Sequence, residues 1–538
     1  MEQHQLREQN HGGRRDLVIG LIGAVGTQLS LVQSVIESEL QRYAYEYSLI
    51  KLSSLIKQFP HYQDLNRDAM HPRDYYTKAI EGGNAIRERF GDPSALAQWG
   101  VLEIHKARSK PVKEPSRARC YVINQLKTPE EVRFLREVYG SLFYCIAVYA
   151  DEKTREERLT RQFSHDAHRS LGPEVAGAAA KSVIQIDTKQ PAEWGQNVRG
   201  AFVEADYFVR SDEQLDISDA VERFFNLVFD RPYISPTKSE VAMMHAKTSA
   251  LRSVDLSRQI GAAIVARDGR VLTTGCNEVP KAGGGQYWEN DKDDKRDWVI
   301  GYDANDEKKR QAILELINAL NDKIKNEYLE SNFPVDVYDD LMTGGKLDDT
   351  IVDSLIEFGR IVHAEQAAMN SAGIGGIAIR DADLYCTTYP CHMCARQIVN
   401  SGIRNVFYIE PYPKSQVTEL YEDSIEPNPR LSRQQYEDRI NGDRMEPKKV
   451  YFIPFEGVAP RRYGDLFSNK RRKEADGKRK KFNWLKAQPR LAPTYADPYG
   501  AEKLIEESIG SEIAEWIAPA SAIQQEEHSP QPSEGRSG

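Results

Sequence analysis

Two short segments of the chain have the residue types and spacing of a metal-dependent catalytic site. His363 and Glu365 flank one alanine, and Cys391 and Cys394 follow Pro390 with two residues between them. One imidazole and two thiolates can hold Zn²⁺ with three protein ligands and leave its fourth tetrahedral position open for water. The bound metal brings the pKa of that water close to neutrality. Glu365 can then move the water's proton, so this set predicts hydrolysis by a zinc-activated water.

The same residues also allow a structural interpretation. A helix that begins near Cys391 would place both cysteines at its N-terminus, where the helix dipole favours thiolates. A structural zinc site normally has four protein ligands. The nearby fourth candidate, His392, lies inside the Cys-x-x-Cys segment, and we expect it to face solvent or to lie outside the ligand set. A structural zinc knuckle and a chance cysteine pair are the alternatives.

Alternating helices and strands must position these residues. The hydrophobic pattern and the turn signals predict, in chain order, a helix over 238–259, strands over 261–265 and 271–274 joined by an Asp-Gly turn, a helix around His363, a strand over 384–387, a helix from Cys391 and a strand over 405–409. This order is typical of an α/β domain.

Motif and element order together resemble a known enzyme family. His-x-Glu followed by Pro-Cys-x-x-Cys is the signature of zinc-dependent nucleobase deaminases, and the chain resembles the cytidine and deoxycytidylate deaminases over roughly residues 238–425. Residues 274–277 read Thr-Gly-Cys-Asn and residues 387–391 read Thr-Thr-Tyr-Pro-Cys, which is closer to deoxycytidylate deaminases than to enzymes of free cytidine. The resemblance implies a three-layer α/β/α deaminase domain over 233–456.

The resemblance also assigns roles to single residues. Glu365 is the catalytic acid and base, Zn²⁺ is held by His363, Cys391 and Cys394, and the substrate is bound by Asn277 and Thr388. Asn277 would contact the sugar, and the alternative is a turn residue that caps the end of a strand. The chain departs from the family in an insertion around 280–358, which could form a lid, an oligomer contact or an effector site.

A glycine-rich turn near the N-terminus predicts a second functional unit. Residues 17–22 form an apolar strand, residues 23–30 read Gly-Ala-Val-Gly-Thr-Gln-Leu-Ser, and a helix follows. This pattern resembles the phosphate loop of nucleoside monophosphate kinases, which implies a P-loop kinase-like domain with a parallel sheet over 15–232. In that domain nucleotide would be bound by Gly23, Gly26 and Ser30.

The turn departs from a working phosphate loop at two positions, and Gln28 replaces the second glycine of the pattern. Leu29 stands where the lysine that reaches the phosphates belongs, so we expect nucleotide binding without phosphoryl transfer. A plain α/β turn is the alternative. Arg155, Arg158 and Arg161 recur every third residue and indicate either a helix over the nucleotide or a solvated helix face. Thr128, followed by Pro-Glu-Glu, predicts the start of another helix.

Composition indicates a soluble protein of several domains. The chain has 538 residues, 40% of them hydrophobic and 28% charged, with a net charge of −9. This length suggests about three domains. No apolar run approaches the ~18 residues of a membrane span, and the polar N-terminus is unlike a secretory signal. Six cysteines are too few for a disulfide scaffold. We therefore expect a cytoplasmic protein.

The remaining segments are polar or basic. We expect a flexible tail over 1–14, a C-terminal extension over 457–522 and a disordered tail over 523–538. The extension carries a basic stretch at 470–481 beside aromatic residues, which indicates a solvated face or a patch that binds RNA or phosphate. Arg461 and Arg462 are further candidates for contact with a substrate phosphate.

Over nearly its whole length the chain resembles the bacterial anti-phage dCTP/dCMP deaminases. That resemblance implies conversion of dCTP or dCMP to dUTP or dUMP plus ammonia, which would deplete the nucleotide pool during phage infection. It also implies a homo-oligomer, and inhibition by a small RNA would give the basic stretch a purpose. A deaminase of cytosine or adenine in RNA or single-stranded DNA is the main alternative, which the acidic balance disfavours. An RNA-regulated binding protein is another, which the intact metal and glutamate set disfavours.

Overall fold

The structure is a computed structural model. It describes residues 15–67, 69–110, 117–165, 171–188, 194–211, 214–323, 337–338, 341, 355, 357–412, 415–429, 431, 433–441, 449–468, 472–490 and 498–517. The chain divides into two compact units, Met1–Ser235 with Glu456–Gly538, and Pro236–Phe455. The tails predicted at 1–14 and 523–538, and most of the predicted insertion beyond residue 323, lie outside the described residues.

Helices and strands alternate through the N-terminal part of the first unit. The described elements are β1 Leu17–Gly23, α1 Leu29–Arg42, β2 Tyr45–Lys51, α2 Leu52–Ile56, α3 Pro72–Phe90, α4 Ala95–Arg108, β3 Ala118–Leu126, α5 Pro129–Tyr139, β4 Phe143–Tyr149, α6 Glu152–Ser164, α7 Pro173–Thr188, α8 Val198–Val203, β5 Tyr207–Arg210 and α9 Gln214–Val228. Thr128 begins α5 as predicted, because its hydroxyl accepts from the Glu131 amide at 3.2 Å and Glu131 accepts from the Thr128 amide at 3.3 Å.

The second unit and the C-terminal segment complete the chain. The second unit contains α10 Lys238–Ala250, β6 Gly261–Val265, β7 Val271–Cys276, α11 Asp297–Ile300, α12 Ala304–Lys323, α13 Ala364–Ile374, β8 Asp383–Thr388, α14 His392–Asn400, β9 Asn405–Glu410, α15 Val417–Leu420, β10 Ile425–Pro427, α16 Arg433–Asn441 and β11 Val450–Pro454. The C-terminal segment adds β12 Gly457–Val458, α17 Tyr463–Phe467 and α18 Pro498–Ile517. Among the described helices, none is both long and apolar enough to cross a membrane.

The sheet of the first unit has the strand order β12-β5-β4-β1-β3-β2. All described pairings in it are parallel except that of β12 with β5. Every residue of the central strand β1 is buried, as expected when helices cover both faces of a parallel sheet. The predicted α/β class is confirmed here. The segment from the predicted C-terminal extension joins this sheet, since Gly457 pairs with Phe208.

The sheet of the second unit has the order β10-β11-β9-β8-β6-β7. Strands β8, β9, β11 and β10 run parallel, and β6 is antiparallel to both β7 and β8. The Asp-Gly turn between β6 and β7 is formed as predicted, with Gly269 at a φ of +94°. The predicted α/β class is therefore confirmed in this unit as well.

Two glycines allow helices to lie directly on β6 and β7. A Cβ atom at Gly261 would lie 1.9 Å from the carbonyl oxygen of Ala246 in α10. A Cβ atom at Gly275 would lie 2.4 Å from the amide nitrogen of Ala368 and 2.5 Å from the carbonyl oxygen of Ala364, both in α13. Because these atoms belong to the backbone, no side-chain rotation relieves the overlap. Gly275 therefore sets how closely α13 packs on the sheet.

Replacement of Gly275 by alanine tests this packing. We expect Gly275→Ala to lower the free energy of unfolding by about 1–3 kcal/mol, because an added methyl in a close-packed contact forces the backbone apart. Gly373→Ala is the matched control, since a Cβ there meets nothing within 4 Å. Urea unfolding followed by circular dichroism measures both. Equal stability of the two variants would contradict the assigned role of Gly275.

Candidate metal centre and active site

The three predicted zinc ligands meet where two helices begin. His363 is the N-cap residue of α13 and Cys391 that of α14. The Nδ1 atom of His363 lies 3.3 Å from Sγ of Cys391 and 3.4 Å from Sγ of Cys394. All three candidate ligand atoms lie within 4.8 Å of one another. Separations of this size suit one ion with bonds of about 2.0–2.3 Å, so the donor set fits Zn²⁺.

The surroundings of Cys391 favour its thiolate form. Its sulfur is hydrogen-bonded by the Cys394 thiol and by His363, which lowers the pKa of Cys391 to about 4. It also accepts the Cys394 amide at 3.5 Å, at the positive end of α14. Burial alone would lower the pKa of His363, but the hydrogen bond and charge of Cys391 outweigh it and raise that pKa to about 9. The thiolate is the form that binds zinc.

Glu365 lies beside the cluster without being part of the ligand set. It occupies the first turn of α13 and is only 4% exposed. Burial raises the pKa of Glu365, and the charge of Cys391 acts in the same direction. Thiols of Cys394 and Cys386 hydrogen-bond to this carboxyl group. A carboxyl group whose pKa is raised toward neutrality suits proton transfer in both directions.

Asn277 is fully engaged within the protein. Its Nδ2 donates to Asp255 Oδ2 and to the carbonyl oxygen of Arg258, both at 2.7 Å, and its Oδ1 accepts from the Ile260 amide at 2.7 Å. The side chain is buried, at the end of β7. These contacts fix the loop that precedes β6. They fit the alternative interpretation of a residue that caps a strand end, and contact with a sugar stays a prediction.

Thr388 lies at the carboxyl end of β8, close to the metal cluster in sequence. Its hydroxyl donates to Glu410 Oε2 at 3.3 Å, and Arg258 Nη1 donates to Glu410 Oε1 at 2.9 Å. Arg258 and Glu410 were not found from the sequence, since 152 residues separate them and no local pattern links them. Thr388 is buried, so its predicted contact with substrate also stays a prediction.

Acidic groups adjoin the candidate site. The charge of Asp255 contributes to the raised pKa of His363. Burial raises the pKa of Asp297, and Asp303 and Asp255 add to that effect, although Arg360 donates to Asp297 at 2.9 Å. His392 lies outside the ligand set, as expected, with its Nε2 3.3 Å from a Glu357 oxygen.

The predicted nucleotide-binding residues share one loop of the first unit. Gly23 ends β1, Gly26 has a φ of +86°, and Ser30 lies in the first turn of α1. The loop geometry is that of a tight strand-to-helix turn. Nucleotide binding by these residues stays a prediction.

The aromatic residues beside the basic stretch are less available than the sequence indicates. Lys470 and Arg471 lie outside the described residues. The nearby aromatic residues Phe467, Phe482 and Trp484 pack against the core of the first unit. Arg42 and Arg231 lie over the ring of Trp484, at 4.5 and 5.0 Å from its centre. These aromatic rings therefore serve packing, while the basic side chains from 472 to 481 are exposed.

Arg461 and Arg462 have partners within the first unit. Arg461 Nη1 lies 2.6 Å from Glu204 Oε2, and Arg462 Nε lies 3.2 Å from Asp206 Oδ1. Arg462 also donates to the carbonyl oxygen of Phe143 at 2.8 Å. Both guanidinium groups thus attach the C-terminal segment to its own unit, and their contact with a substrate phosphate stays a prediction.

Comparisons with known proteins agree with the metal cluster. Residues 236–410 match the family model of the cytidine and deoxycytidylate deaminase zinc-binding region. ComE operon protein 2 of Bacillus subtilis (strain 168) is 38% identical over 53 residues, which are 10% of this chain and 28% of that protein. The deoxycytidylate deaminase of Enterobacteria phage T2 is 41% identical over 54 residues, 10% of this chain and 29% of that enzyme.

Residues 236–410 are thus similar to the zinc-binding region of the cytidine and deoxycytidylate deaminases. The chain spans less than a third of the length of these two curated relatives. Among solved structures, the apo dCMP deaminase of cyanophage S-TIM5 is 15% identical, with 41% of this chain and 100% of that chain covered and a TM-score of 0.20.

Loss of one thiol should remove the metal. We expect Cys391→Ala and Cys394→Ala to lower bound zinc from about one ion per chain to less than about a tenth, because two protein ligands hold zinc far more weakly than three. Cys386→Ala is the control, since Cys386 is buried in the same core but lies outside the ligand set. Metal analysis of the purified chains measures the difference. Full occupancy in Cys394→Ala would exclude that residue from the site.

Asn277 should contribute to stability whether or not it contacts substrate. We expect Asn277→Ala to lower the free energy of unfolding by about 1–3 kcal/mol, because a buried side chain loses three hydrogen bonds to partly buried partners. Asn370→Ala, at an exposed position of α13, should change it by less than about 0.5 kcal/mol. Thermal unfolding of both variants tests this. An unchanged melting temperature for Asn277→Ala would show that the three bonds are not formed.

Proposed function

We propose that this protein hydrolytically deaminates deoxycytidine nucleotides, dCTP or dCMP, to the deoxyuridine nucleotides and ammonia. One observation carries the proposal: the buried Glu365 has no lysine or arginine partner among the described residues and lies beside the His363, Cys391 and Cys394 cluster. Several other buried carboxyl groups among the described residues are paired with cations, as Asp383 is with Arg404 at 2.9 Å and Glu131 is with Arg87 at 3.0 Å. An unpaired buried acid next to a metal-binding set is typical of a catalytic group.

The residues divide the reaction between them. His363, Cys391 and Cys394 would hold Zn²⁺, which supplies a water acidic enough to ionise near neutral pH. Glu365 takes a proton from that water and transfers it to ring N3 of the cytosine. The oxygen adds to C4, and the bond from C4 to the amino nitrogen breaks. For this cleavage, Glu365 takes the remaining proton from the hydroxyl added at C4 and delivers it to the amino group, which leaves as ammonia while the C4 carbonyl forms, so that one water is consumed and each proton is accounted for.

A free nucleotide is favoured over a polynucleotide as substrate. The chain carries a net charge of −9, and the charge of Asp255 acts on His363 in the candidate site. A polynucleotide with many phosphates would be repelled there, whereas a free nucleotide carries its negative charge only on its own phosphate groups. The phage relative named deoxycytidylate deaminase supports a deoxycytidine nucleotide. Pool depletion in anti-phage defence, homo-oligomers and control by a small RNA belong to the same proposal and rest on the whole-chain resemblance.

Glu365→Gln tests the catalytic assignment. We expect turnover to fall by about 10²–10⁴-fold, the usual contribution of a general acid–base group, with zinc content unchanged. Glu419→Gln, an exposed position of α15, is the control and should keep full turnover. Ammonia release from dCMP, dCTP, CMP, CTP, deoxycytidine and a cytosine-containing single strand is measured in parallel.

The substrate panel separates the two classes of deaminase. Turnover confined to dCMP or dCTP supports the proposal, and the preferred phosphate state follows from the ratio of the two rates. Turnover of the single strand alone would reassign the protein to the polynucleotide deaminases. Retained turnover in Glu365→Gln would remove Glu365 from the mechanism.

A further inference from the structure

The loop between β1 and α1 binds a carboxylate of the protein itself, that of Asp187. The Val25 amide donates to Asp187 Oδ2 at 2.6 Å, and Asp187 is completely buried near the end of α7. Backbone amides in a strand-to-helix turn are a common binding place for phosphate oxygens. In this conformation a carboxylate oxygen occupies that place at one amide.

A lysine from the neighbouring strand neutralises this carboxylate. Lys127 follows β3, and its Nζ lies 2.7 Å from Asp187 Oδ1 and 3.4 Å from the carbonyl oxygen of Gly23. Gln196 Nε2 donates to the same Asp187 oxygen at 3.1 Å. The positive charge that Leu29 cannot supply is therefore present at the loop, from another part of the fold.

A buried arginine completes the charged surroundings. Arg155 is 8% exposed, and its Nη1 donates to the carbonyl oxygen of Val25 at 3.3 Å. Its Nε has no hydrogen-bond partner among the described residues. A Cβ atom at Gly26 would lie 2.8 Å from the Arg155 Cβ, so the glycine permits this close approach. The loop thus faces a guanidinium group whose Nε–H has no acceptor among the described residues. This N–H could donate a hydrogen bond to a ligand oxygen.

Apolar contacts hold the same arrangement in place. The Val25 side chain is buried with Leu159 and Phe163 of α6 and Val183 and Ile184 of α7. Helix α7 therefore contacts the loop through an apolar cluster and, one turn farther on, through Asp187.

We propose that Asp187 is an intramolecular substitute for a phosphate group, and that a phosphorylated ligand binds the β1–α1 loop by displacing it from Val25 and Lys127. A phosphate carries more charge than a carboxylate and has three strong acceptor oxygens, which could take up the free Arg155 donor as well. The carboxylate competes with the ligand for the same groups. The apparent affinity for the ligand is therefore lowered in proportion to the fraction of molecules in which these groups are free. Binding would also release the end of α7 from the loop.

Calorimetric titration of the full-length chain with pyrophosphate and with ATP tests the proposal. Asp187→Asn keeps the shape of the side chain but removes its charge, and we expect it to tighten binding by about tenfold, which corresponds to ~1.4 kcal/mol. Lys127→Met should weaken binding by about tenfold or more. Lys181→Met and Glu174→Gln, exposed positions of α7, are the matched controls and should leave the affinity unchanged.

Amide hydrogen exchange shows which segments of the chain change when the ligand binds. Ligand should slow exchange over residues 24–32 and speed it over 183–188, where α7 loses its contact with the loop. This measurement uses the wild-type chain and so decides the question even if Asp187→Asn does not fold. Faster exchange over 183–188 without any protection of 24–32 would overturn the proposal.

The remaining outcomes are also decisive. Binding of both probes supports recognition of the phosphates alone, and binding of ATP only, with tightening in Asp187→Asn, supports a nucleotide ligand. Absence of binding by wild type and Asp187→Asn, or weaker binding by Asp187→Asn, would overturn the proposal. None of these results depends on deaminase turnover.

Discussion

The geometry of the candidate site depends on how closely α13 packs on β7. Gly275 allows the backbone of α13 to touch the strand, and this contact fixes the position of His363 and Glu365 at the start of the helix. Strand β8 independently delivers Cys391 through Pro390 to the start of α14. A bulkier residue at 275 would separate two groups of ligands that come from different elements. The relative positions of the candidate metal ligands thus depend first on how closely the two backbones pack.

The strands behind the site are held by a buried ion pair. Asp383 begins β8 and lies opposite Asn405 in β9, and it accepts hydrogen bonds from Asn405 and Arg404 at 2.8 and 2.9 Å. Taking these charges out of water is costly, and removal of one partner typically costs about 3–5 kcal/mol. The pair therefore favours one register of β8 and β9, which aligns Thr388 with Glu410 at their carboxyl ends.

Local signals in the sequence were sufficient for part of this structure. The Cys-x-x-Cys spacing, the capping residue Thr128 and the Asp-Gly turn act within a few residues, and each predicted its local structure. Contacts between distant segments left no such pattern. The Val25–Asp187 bond spans 162 residues, the Arg258–Glu410 pair spans 152, and β12 returns to the first sheet from beyond the second unit. Only the folded chain brings these groups together.

Each of the two units has a buried carboxyl group, and the hydrogen-bonding neighbours of these two groups differ. Asp187 is surrounded by a lysine, an amide N–H and a glutamine, which all donate to its two carboxylate oxygens. Glu365 has thiols as its hydrogen-bonding neighbours, and burial raises its pKa. Keeping such a group costs stability, which a purely structural role would not require. The proposed proton chemistry therefore rests on the carboxyl group of the second unit, whereas the carboxyl group of the first unit is held by a lysine and two neutral donors.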